Sequence, residues 1–398
     1  MDLIAIRKKL HSIAELAHQE RKTAGFVAQL LRESGITDIQ DNIGGQGLVA
    51  TADSGRPGPA LLFRAELDAL PIDETLSLPY ASENSNIAHK CGHDGHMTIL
   101  IGLAKKLQKK PLKRGKVHFL FQPAEETGEG AARMLEDPGM PDINPDFVFA
   151  LHNLPGYPLK AVLLRNDVFA AGSAGLIIRL TGNTAHAAHP EQGRSPAQAV
   201  ATLIQKWEAL PGKVLPADQF GLVTVIHTRI GDRAFGTTPG FAELMATIRA
   251  WEPGDFEKLR REAVKIAEKT AANEKLQISH EWTEEFQPTC NHPDAVSLIE
   301  RAAKKRYMSG SATAKRAADE GETTGSESIE NGIIWMKEPF SWSEDFARFT
   351  ERYPGALFGI GAGTGHPHLH DTRYDFPDET LEHGVHLFFG IIEETGLF

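Results

Sequence analysis

The sequence predicts an α/β protein in which a compact βαββαβ domain interrupts a larger α/β domain. Three observations predict this fold: the length of the chain, an alternation of helix and strand patterns in its N-terminal part, and a change of pattern near residue 173. At 398 residues the chain is too long for a single hydrophobic core. We assign residues 1–172 and 287–398 to the larger, discontinuous domain and residues 173–286 to the inserted domain.

The larger domain begins with helix and strand patterns that alternate. Amphipathic helix patterns cover residues 3–34 and 97–109, and apolar runs typical of buried strands cover residues 58–67, 116–122 and 146–152. Buried strands separated by helices indicate a sheet that is largely parallel. Polar residues follow each strand, and ligands of open α/β sheets bind at the carboxyl ends of strands, so we expect a functional site there.

The inserted domain has a different pattern, which is that of a split βαβ unit. Its patterns are, in order, a strand at 174–182, a helix at 195–210, strands at 221–230 and 241–251, a helix at 255–272 and a strand at 276–282. After residue 290 helix patterns return, and the chain closes with a segment, 359–379, that we interpret as rich in loops. The Ser-, Thr-, Gly- and Glu-rich stretch 319–328 predicts a further loop.

Charge and composition argue against several classes of function. The net charge of −11 disfavours nucleic-acid binding, which needs a basic surface. We find neither a signal-peptide pattern at the N-terminus nor an apolar run of about 20 residues, so we expect no membrane association. Two cysteines in so long a chain make a disulfide framework improbable and predict a reducing, cytoplasmic location.

The stretch KCGHDGHMT, residues 90–98, combines Cys91, His93 and His96 within six positions. Across an irregular turn the thiolate of Cys91 and the imidazole of His93 can point the same way. Adjacent carboxylates, Glu125 and Glu126, follow the strand at 116–122. Like charges repel there unless a metal ion binds one carboxylate while its neighbour accepts a proton from water. The alternative is a pair of glutamates that complements the dipole at a helix N-terminus.

Further histidines follow other strand-like or loop segments. His152 ends the apolar run at 146–152, where a structural histidine is the alternative to a ligand. His366, His368 and His370 lie in a glycine-rich loop, and one ligand among them is plausible. Residues 91–93, 125–126, 152 and 370 all belong to one proposed domain and together offer a thiolate, imidazoles and carboxylates. These are the usual ligands of zinc, manganese and cobalt, and their number suggests two divalent ions.

Several successive motifs resemble the signatures of the M20 metallopeptidase family. They are RAELDALPIDE, HKCGHDGHMT, FQPAEETGEGA, ALHNLPG, TAHAAHPEQGRSP and WSEDF…LHDTRYDF, and they extend over nearly the whole chain. More narrowly they resemble the amidohydrolase branch, which includes aminoacylases, hippurate hydrolases and auxin-conjugate hydrolases. The resemblance implies a dinuclear-metal α/β catalytic domain interrupted by a smaller, ferredoxin-like lid or dimerisation domain.

The resemblance also assigns roles to individual residues. It implies five metal ligands, which are Cys91, His93, Glu126, His152 and His370. Glu125 takes the position of the general base, and Asp68 that of a supporting acid which orients the metal ligands. His186 matches a lid histidine that stabilises the oxyanion, in some relatives from a neighbouring subunit, with an ordinary loop histidine as the alternative.

Four other positions show how far the resemblance extends. Arg249 matches a lid arginine that can bind a substrate carboxylate, the alternative being a surface charge on a strand. Glu66 stands where the branch usually has Asp, and Gly236 where many relatives carry Asn. His96 matches a position at the start of a helix rather than a ligand.

The resemblance therefore implies a metal-dependent amidohydrolase that cleaves small N-acyl amino acids. A metal-bound water would be the nucleophile and Glu125 the general base, and two chains would pair through the lid domain. Alternatives are a dipeptidase or aminopeptidase of the same family, a hydrolase in which Cys91 is a nucleophile activated by His93, and a non-catalytic metal-binding protein that retains the fold. The motif GIGAGTG at 359–365 lacks the framing of a nucleotide-binding loop.

Overall fold

A computed structural model of the protein describes residues 2–308, 329–330 and 332–398, so the loop predicted at 319–328 lies outside the described residues. The chain divides into two compact units. Unit 1 consists of Met1–Phe169, Thr289–Glu338 and Asp345–Phe398, and unit 2 of Ala170–Pro288 and Pro339–Glu344. Each unit has a hydrophobic core of its own.

Strands and helices alternate along both units. The strands are β1 (Asp38–Ile43), β2 (Gly47–Asp53), β3 (Ala60–Glu66), β4 (Lys116–Gln122), β5 (Phe147–Pro155), β6 (Val162–Leu164), β7 (Asp167–Ala170), β8 (Gly172–Thr181), β9 (Gly221–Ile230), β10 (Phe241–Ala250), β11 (Gln277–Phe286), β12 (Thr289–Asn291), β13 (Ile329–Glu330), β14 (Ile333–Trp335) and β15 (Gly355–Gly363). The α-helices are α1 (Leu3–Ser12), α2 (Arg21–Glu33), α3 (His93–Lys109), α4 (Gly130–Glu136), α5 (Ala197–Glu208), α6 (Pro211–Val214), α7 (Pro253–Asn273), α8 (Pro293–Met308), α9 (Ala347–Thr350) and α10 (Leu381–Glu394).

Unit 1 is built on a mixed sheet that has nine strands over the described residues, in the order β1-β2-β4-β3-β5-β15-β6-β14-β13. Its centre is parallel, because β3 pairs with β4 and β5, and β5 with β15, in the parallel sense. The antiparallel pairs β1–β2 and β2–β4 lie to one side. Helices α1, α2, α3, α8 and α10 contribute apolar side chains to the core beside this sheet. The α/β fold and the parallel centre expected from the sequence are confirmed.

The helix pattern predicted over residues 3–34 is two helices, so the prediction of one continuous segment was wrong. Helix α1 ends at Ser12 and α2 begins at Arg21. Between them His18 has a left-handed backbone, with φ of 67°. One carboxylate oxygen of Glu15 accepts the N–H groups of Lys22 and Thr23 at 2.8 and 2.9 Å. The Glu15 side chain therefore satisfies free donors at the start of α2, which favours a new helix there.

The first residues of the segment predicted to be rich in loops form the second half of strand β15, so that prediction was wrong for 359–363. Glycine disfavours strands, but neighbouring atoms require it here. A Cβ at Gly361 would lie 1.9 Å from the carbonyl oxygen of Pro158, and one at Gly359 would lie 2.3 Å from Leu154. The glycines thus allow β15 to lie against its neighbours at the centre of the sheet.

Unit 2 contains an antiparallel sheet of four strands in the order β11-β8-β10-β9. Its strands and its two longer helices, α5 and α7, follow one another in the order that the sequence pattern predicts. Apolar residues of α5 and α7 pack with those of β8 and β10 in the core of the unit. Among the helices of the described residues, none has both the length and the apolar character that a membrane span requires.

Candidate metal centre

The candidate metal centre lies at the carboxyl ends of the parallel strands of unit 1. Asp68 follows β3, Glu125 and Glu126 follow β4, and His152 lies near the end of β5. Because β3 is parallel to both β4 and β5, the residues that follow these strands meet at the same edge of the sheet. The glutamate pair precedes α4 in a turn and does not cap it, which removes the helix-dipole alternative.

The loop before α3 brings a thiol and an imidazole to this edge. Cys91 is buried and His93 is the first residue of the helix. Gly92 between them has φ of 99°, and a Cβ there would lie 2.2 Å from Oδ1 of Asn153. The carbonyl oxygen of Lys90 accepts the N–H of His370 at 2.8 Å, which draws the C-terminal loop to the same place.

The structure brings the five predicted ligands and Glu125 together. Five groups of side chains among the described residues have ligand atoms that lie within 4.8 Å of one another, and three of them consist only of these residues, namely Cys91 with His93 and His152, Cys91 with Glu126 and His370, and His93 with Glu125 and Glu126. Sγ of Cys91 lies 3.5 Å from Nε2 of His152. Oε1 of Glu126 lies 3.7 Å from Nε2 of His370 and 3.9 Å from Nε2 of His93.

Hydrogen bonds to the backbone orient the side-chain atoms that would bind a metal. Nδ1 of His93 donates to the carbonyl oxygen of Asp68 at 2.9 Å, and Nδ1 of His152 to that of Asn153 at 2.9 Å. These bonds leave Nε2 of both rings for a metal, as in many metal sites. Oδ2 of Asp68 accepts the N–H of Glu126 at 3.0 Å, so Asp68 holds two of the predicted ligands through main-chain and side-chain oxygens.

A divalent ion fits this group of side chains. Nε2 of His93 is buried and has no hydrogen-bond partner among the residues that the structure describes, although burying such an atom is costly. A thiolate, imidazoles and carboxylates are the donor set of zinc and of related first-row divalent ions. Two of the groups overlap at Cys91, which suits a pair of ions that share one ligand.

The charges of the site favour a cation. Burial lowers the pKa of His93, but the carboxylates of Glu66, Asp68 and Glu126 raise it overall to about 10. The same negative field that stabilises an imidazolium would stabilise a metal ion. Burial lowers the pKa of His152 well below its usual range, and burial together with His93 lowers that of His370, so both rings are neutral, as ligands must be.

The sequence did not reveal a row of hydrogen-bonded polar side chains that lies buried beside the ligands. Nδ1 of His96 lies 2.8 Å from a carboxylate oxygen of Glu66, and Nε2 lies 2.6 Å from Oδ1 of Asn153. The ring of His96 is centred 4.7 Å from that of His152. His96 lies in the first turn of α3, as the resemblance implies, and its spacing of three from His93 is the one sequence signal for this shared face.

The two predicted site residues of unit 2, His186 and Arg249, contact other residues of that unit. His186 is exposed, forms an antiparallel bridge with Thr237, and accepts the N–H of Ala188 at Nδ1. Arg249 lies on β10 and donates from Nη1 to the carbonyl oxygen of Ser341 at 3.2 Å and to Oγ of Ser343 at 3.1 Å. Their contributions to catalysis and to substrate binding stay predictions.

A protein-family model and individual related proteins both match most of the chain. The model of the peptidase family M20/M25/M40 matches residues 62–394. N-acetyl-L-cysteine deacetylase of Bacillus subtilis is 30% identical over 92% of this chain and 82% of its own length. Hippurate hydrolase of Campylobacter jejuni is 29% identical over 94% of this chain and 92% of its own length.

A solved structure from Bacillus subtilis, described as a dinuclear metal-binding peptidase of the M20 family, has the same fold. It superimposes with a TM-score of 0.76 at 26% identity and covers 99% of this chain and 98% of its own.

Proposed function

Since the chain belongs to the peptidase family M20/M25/M40 and is a hydrolase of amide bonds, we propose that its substrates are small N-acyl amino acids. Two of its relatives, an N-acetyl-L-cysteine deacetylase and a hippurate hydrolase, act on acylated amino acids and align with more than nine-tenths of the chain. Removal of the acyl group would yield a carboxylic acid and a free amino acid.

The observation that carries the proposal is the overlap of two ligand groups at Cys91 with Glu125 beside them. The first group, Cys91 with His93 and His152, would hold one divalent ion. The second, Cys91 with Glu126 and His370, would hold the other, and the related structure from Bacillus subtilis is described as dinuclear. The donor set suits zinc, manganese or cobalt.

The reaction assigns a role to each nearby side chain. When bound, the ions would lower the pKa of the attacking water and polarise the acyl carbonyl. Glu125, whose Oε2 lies 3.9 Å from Nε2 of His93, takes a proton from that water and then donates it to the leaving amine. A C–O bond forms at the acyl carbon and the C–N bond breaks. Asp68 keeps His93 and Glu126 in place through the bonds described above.

Unit 2 has proposed roles in substrate recognition and assembly. His186 would donate a hydrogen bond to the oxyanion, and Arg249 would bind the substrate carboxylate. We propose that unit 2 is a ferredoxin-like lid through which two chains pair. Strand β9 supports this proposal, because it ends the sheet of unit 2 and exposes Leu222, Ile226 and Ile230. We also propose a cytoplasmic location, supported by the two cysteines, which form no disulfide bond within the described residues.

A hydrolysis screen tests the proposed function. The metal-free protein is reloaded with zinc, manganese or cobalt and assayed on N-acetyl and N-benzoyl amino acids and on dipeptides. We expect the N-acyl amino acids to be hydrolysed faster. Preference for dipeptides would support a peptidase, and metal uptake without turnover a binding protein. Activity that resists chelators but not thiol alkylation would support Cys91 as the nucleophile.

Substitution of the general base tests the mechanism. We expect Glu125→Gln to lower kcat by about 10²–10⁴-fold, because the amide cannot accept the proton of the attacking water. Two ions per chain should remain bound. Glu129→Gln is a matched control, since Glu129 lies half-buried in the same segment and pairs with Arg133. Full activity of Glu125→Gln would refute the assignment.

A further inference from the structure

Glu20 is a buried carboxylate next to the proposed general base and belongs to no ligand group among the described residues. It lies between α1 and α2 and is 0% exposed. Its Oε1 accepts the N–H of His18 at 2.9 Å and the N–H of Ala124 at 2.8 Å. Its Oε2 is buried and has no hydrogen-bond partner in the part of the chain that the structure describes. A carboxylate is costly to bury, so such a position suggests a function.

The turn that Glu20 contacts has an unusual backbone. Ala124 has φ of 51°, in the left-handed region that residues with a Cβ rarely adopt. Such a conformation persists when surrounding contacts hold it. Within the turn, the N–H of Gly128 donates to the carbonyl oxygen of Glu125 and that of Gly130 to the carbonyl oxygen of Ala124.

Two carboxylates from distant parts of the sequence hold the residues on either side of Glu125. Glu20 accepts the N–H of Ala124, which precedes the general base, and Asp68 accepts the N–H of Glu126, which follows it. The backbone position of Glu125 is thereby fixed at both neighbours. A hydrogen bond to a backbone N–H is stronger in a buried site than in water.

We propose that Glu20 is a positioning residue, which holds Ala124 in its left-handed conformation and so fixes the proposed general base Glu125. The proposal rests on the proposed function, because it takes Glu125 to be the group that transfers the proton. Glu20 acts on the reaction through the backbone alone. Its acceptor oxygen is the required feature, and its negative charge is not.

Three variants separate this role from a general effect on stability. Glu20→Met removes the acceptor while keeping a side chain of similar length that suits a buried site. Glu20→Gln keeps an acceptor oxygen and removes the charge. Glu15→Ala is the matched control, because Glu15 also accepts backbone N–H groups, but those of Lys22 and Thr23 at the start of α2.

The experiment combines steady-state kinetics, metal analysis and amide hydrogen exchange on the metal-loaded full chain. For Glu20→Met we expect kcat to fall about 10- to 100-fold with KM nearly unchanged, as for a misplaced catalytic group. Two ions should stay bound, and exchange should quicken in peptides that cover residues 123–128. Glu20→Gln should match the wild type in each measurement. Glu15→Ala should quicken exchange at the start of α2 and leave kcat unchanged.

Unchanged exchange over residues 123–128 in Glu20→Met would overturn the proposal, as would a Glu20→Gln variant as impaired as Glu20→Met. If Glu20→Met does not fold, Glu20→Ala takes its place, and failure of both to fold would assign Glu20 to stability and overturn the positioning role. If the wild type hydrolyses no N-acyl amino acid, the proposed function fails, and the exchange measurement still decides whether Glu20 holds the turn.

Discussion

Cys91 supplies a donor atom that two ligand groups share, one with His93 and His152 and one with Glu126 and His370. We expect Cys91→Ser to weaken the binding of both ions, because a hydroxyl group stays protonated near neutral pH and is a poor ligand for zinc. The number of metal ions per chain after dialysis should fall below two, and activity should fall at least about 100-fold.

Cys290→Ser is the control for this experiment. Cys290 is half-buried, forms no disulfide bond within the described residues, and is absent from the ligand groups found among them. This variant should keep its metal content and its activity. A Cys91→Ser protein that retains two tightly bound ions would contradict the assignment of a shared thiolate.

At the scale of residues, side chains with distinctive chemistry could be identified from the sequence, whereas their supporting contacts could not. A Cys-Gly-His triplet and paired glutamates after a strand indicate a metal site by their chemistry, and the structure brings Cys91, His93, Glu125 and Glu126 together. The bond between Glu20 and Ala124 joins residues 104 positions apart. Such a contact depends on how the chain folds, and no local pattern in the sequence marks it.

Among the elements, strand β15 depends on glycine for its close packing. A Cβ at Gly361 would lie 1.9 Å from the carbonyl oxygen of Pro158, which is backbone and cannot rotate away. We expect Gly361→Ala to lower the free energy of unfolding by about 2–4 kcal/mol, because the strand must shift to relieve the overlap. Urea unfolding of the two proteins measures the difference.

Gly365→Ala is the matched control. Gly365 lies two residues beyond the end of β15, and a Cβ there would meet nothing within 4 Å. Its free energy of unfolding should stay within about 0.5 kcal/mol of the wild-type value. Equal effects of the two substitutions would show that close approach does not explain the glycines of β15.

Helix and strand patterns predicted β3, β4 and β5 at the centre of the sheet of unit 1 and the main elements of unit 2, whereas other strands, among them β1, β2 and β6, were not predicted. Strand β15 was not predicted, because glycine has low strand propensity and the packing that requires glycine there is tertiary. The predicted helix over residues 3–34 is interrupted because the Glu15 side chain competes for the backbone N–H groups of Lys22 and Thr23. Periodicity alone does not reveal such a side-chain acceptor.

At the scale of the whole molecule, a buried ionic cluster joins α1, α3 and the intervening loop. Nδ1 of His11 lies 2.8 Å from Asp94, and Nε2 lies 3.0 Å from Glu74. Burial lowers the pKa of His11, but the bonds to Asp94 and Glu74 raise it overall to about 9. The imidazolium is therefore the form that the folded protein stabilises.

The sign of the pH effect follows from the raised pKa of His11. Stability that arises from its protonation is fully present below the unfolded value of 6.5 and is lost as pH rises through about 9. We expect the free energy of unfolding of the wild type to exceed that of His11→Gln by about 3 kcal/mol more near pH 6 than near pH 10. Urea unfolding of metal-free protein, which excludes proton release by ligands, provides the measurement. The same difference at both pH values would show that His11 is not protonated in the folded chain.

Division of the chain into two units gives a prediction about metal binding and catalysis. The five proposed ligands and Glu125 all belong to unit 1, which has its own core. In unit 2, Ser173 near the start of β8 pairs with Phe286 at the end of β11, so a short linker can replace residues 174–285. We expect the shortened protein to fold, to bind two ions per chain and to hydrolyse no N-acyl amino acid, because His186 and Arg249 are gone. Metal analysis, circular dichroism and the hydrolysis assay check the three expectations.

Full hydrolysis by the shortened protein would remove the proposed roles of His186 and Arg249. Loss of metal from a folded unit 1 would mean that the five proposed ligands do not suffice to bind two ions.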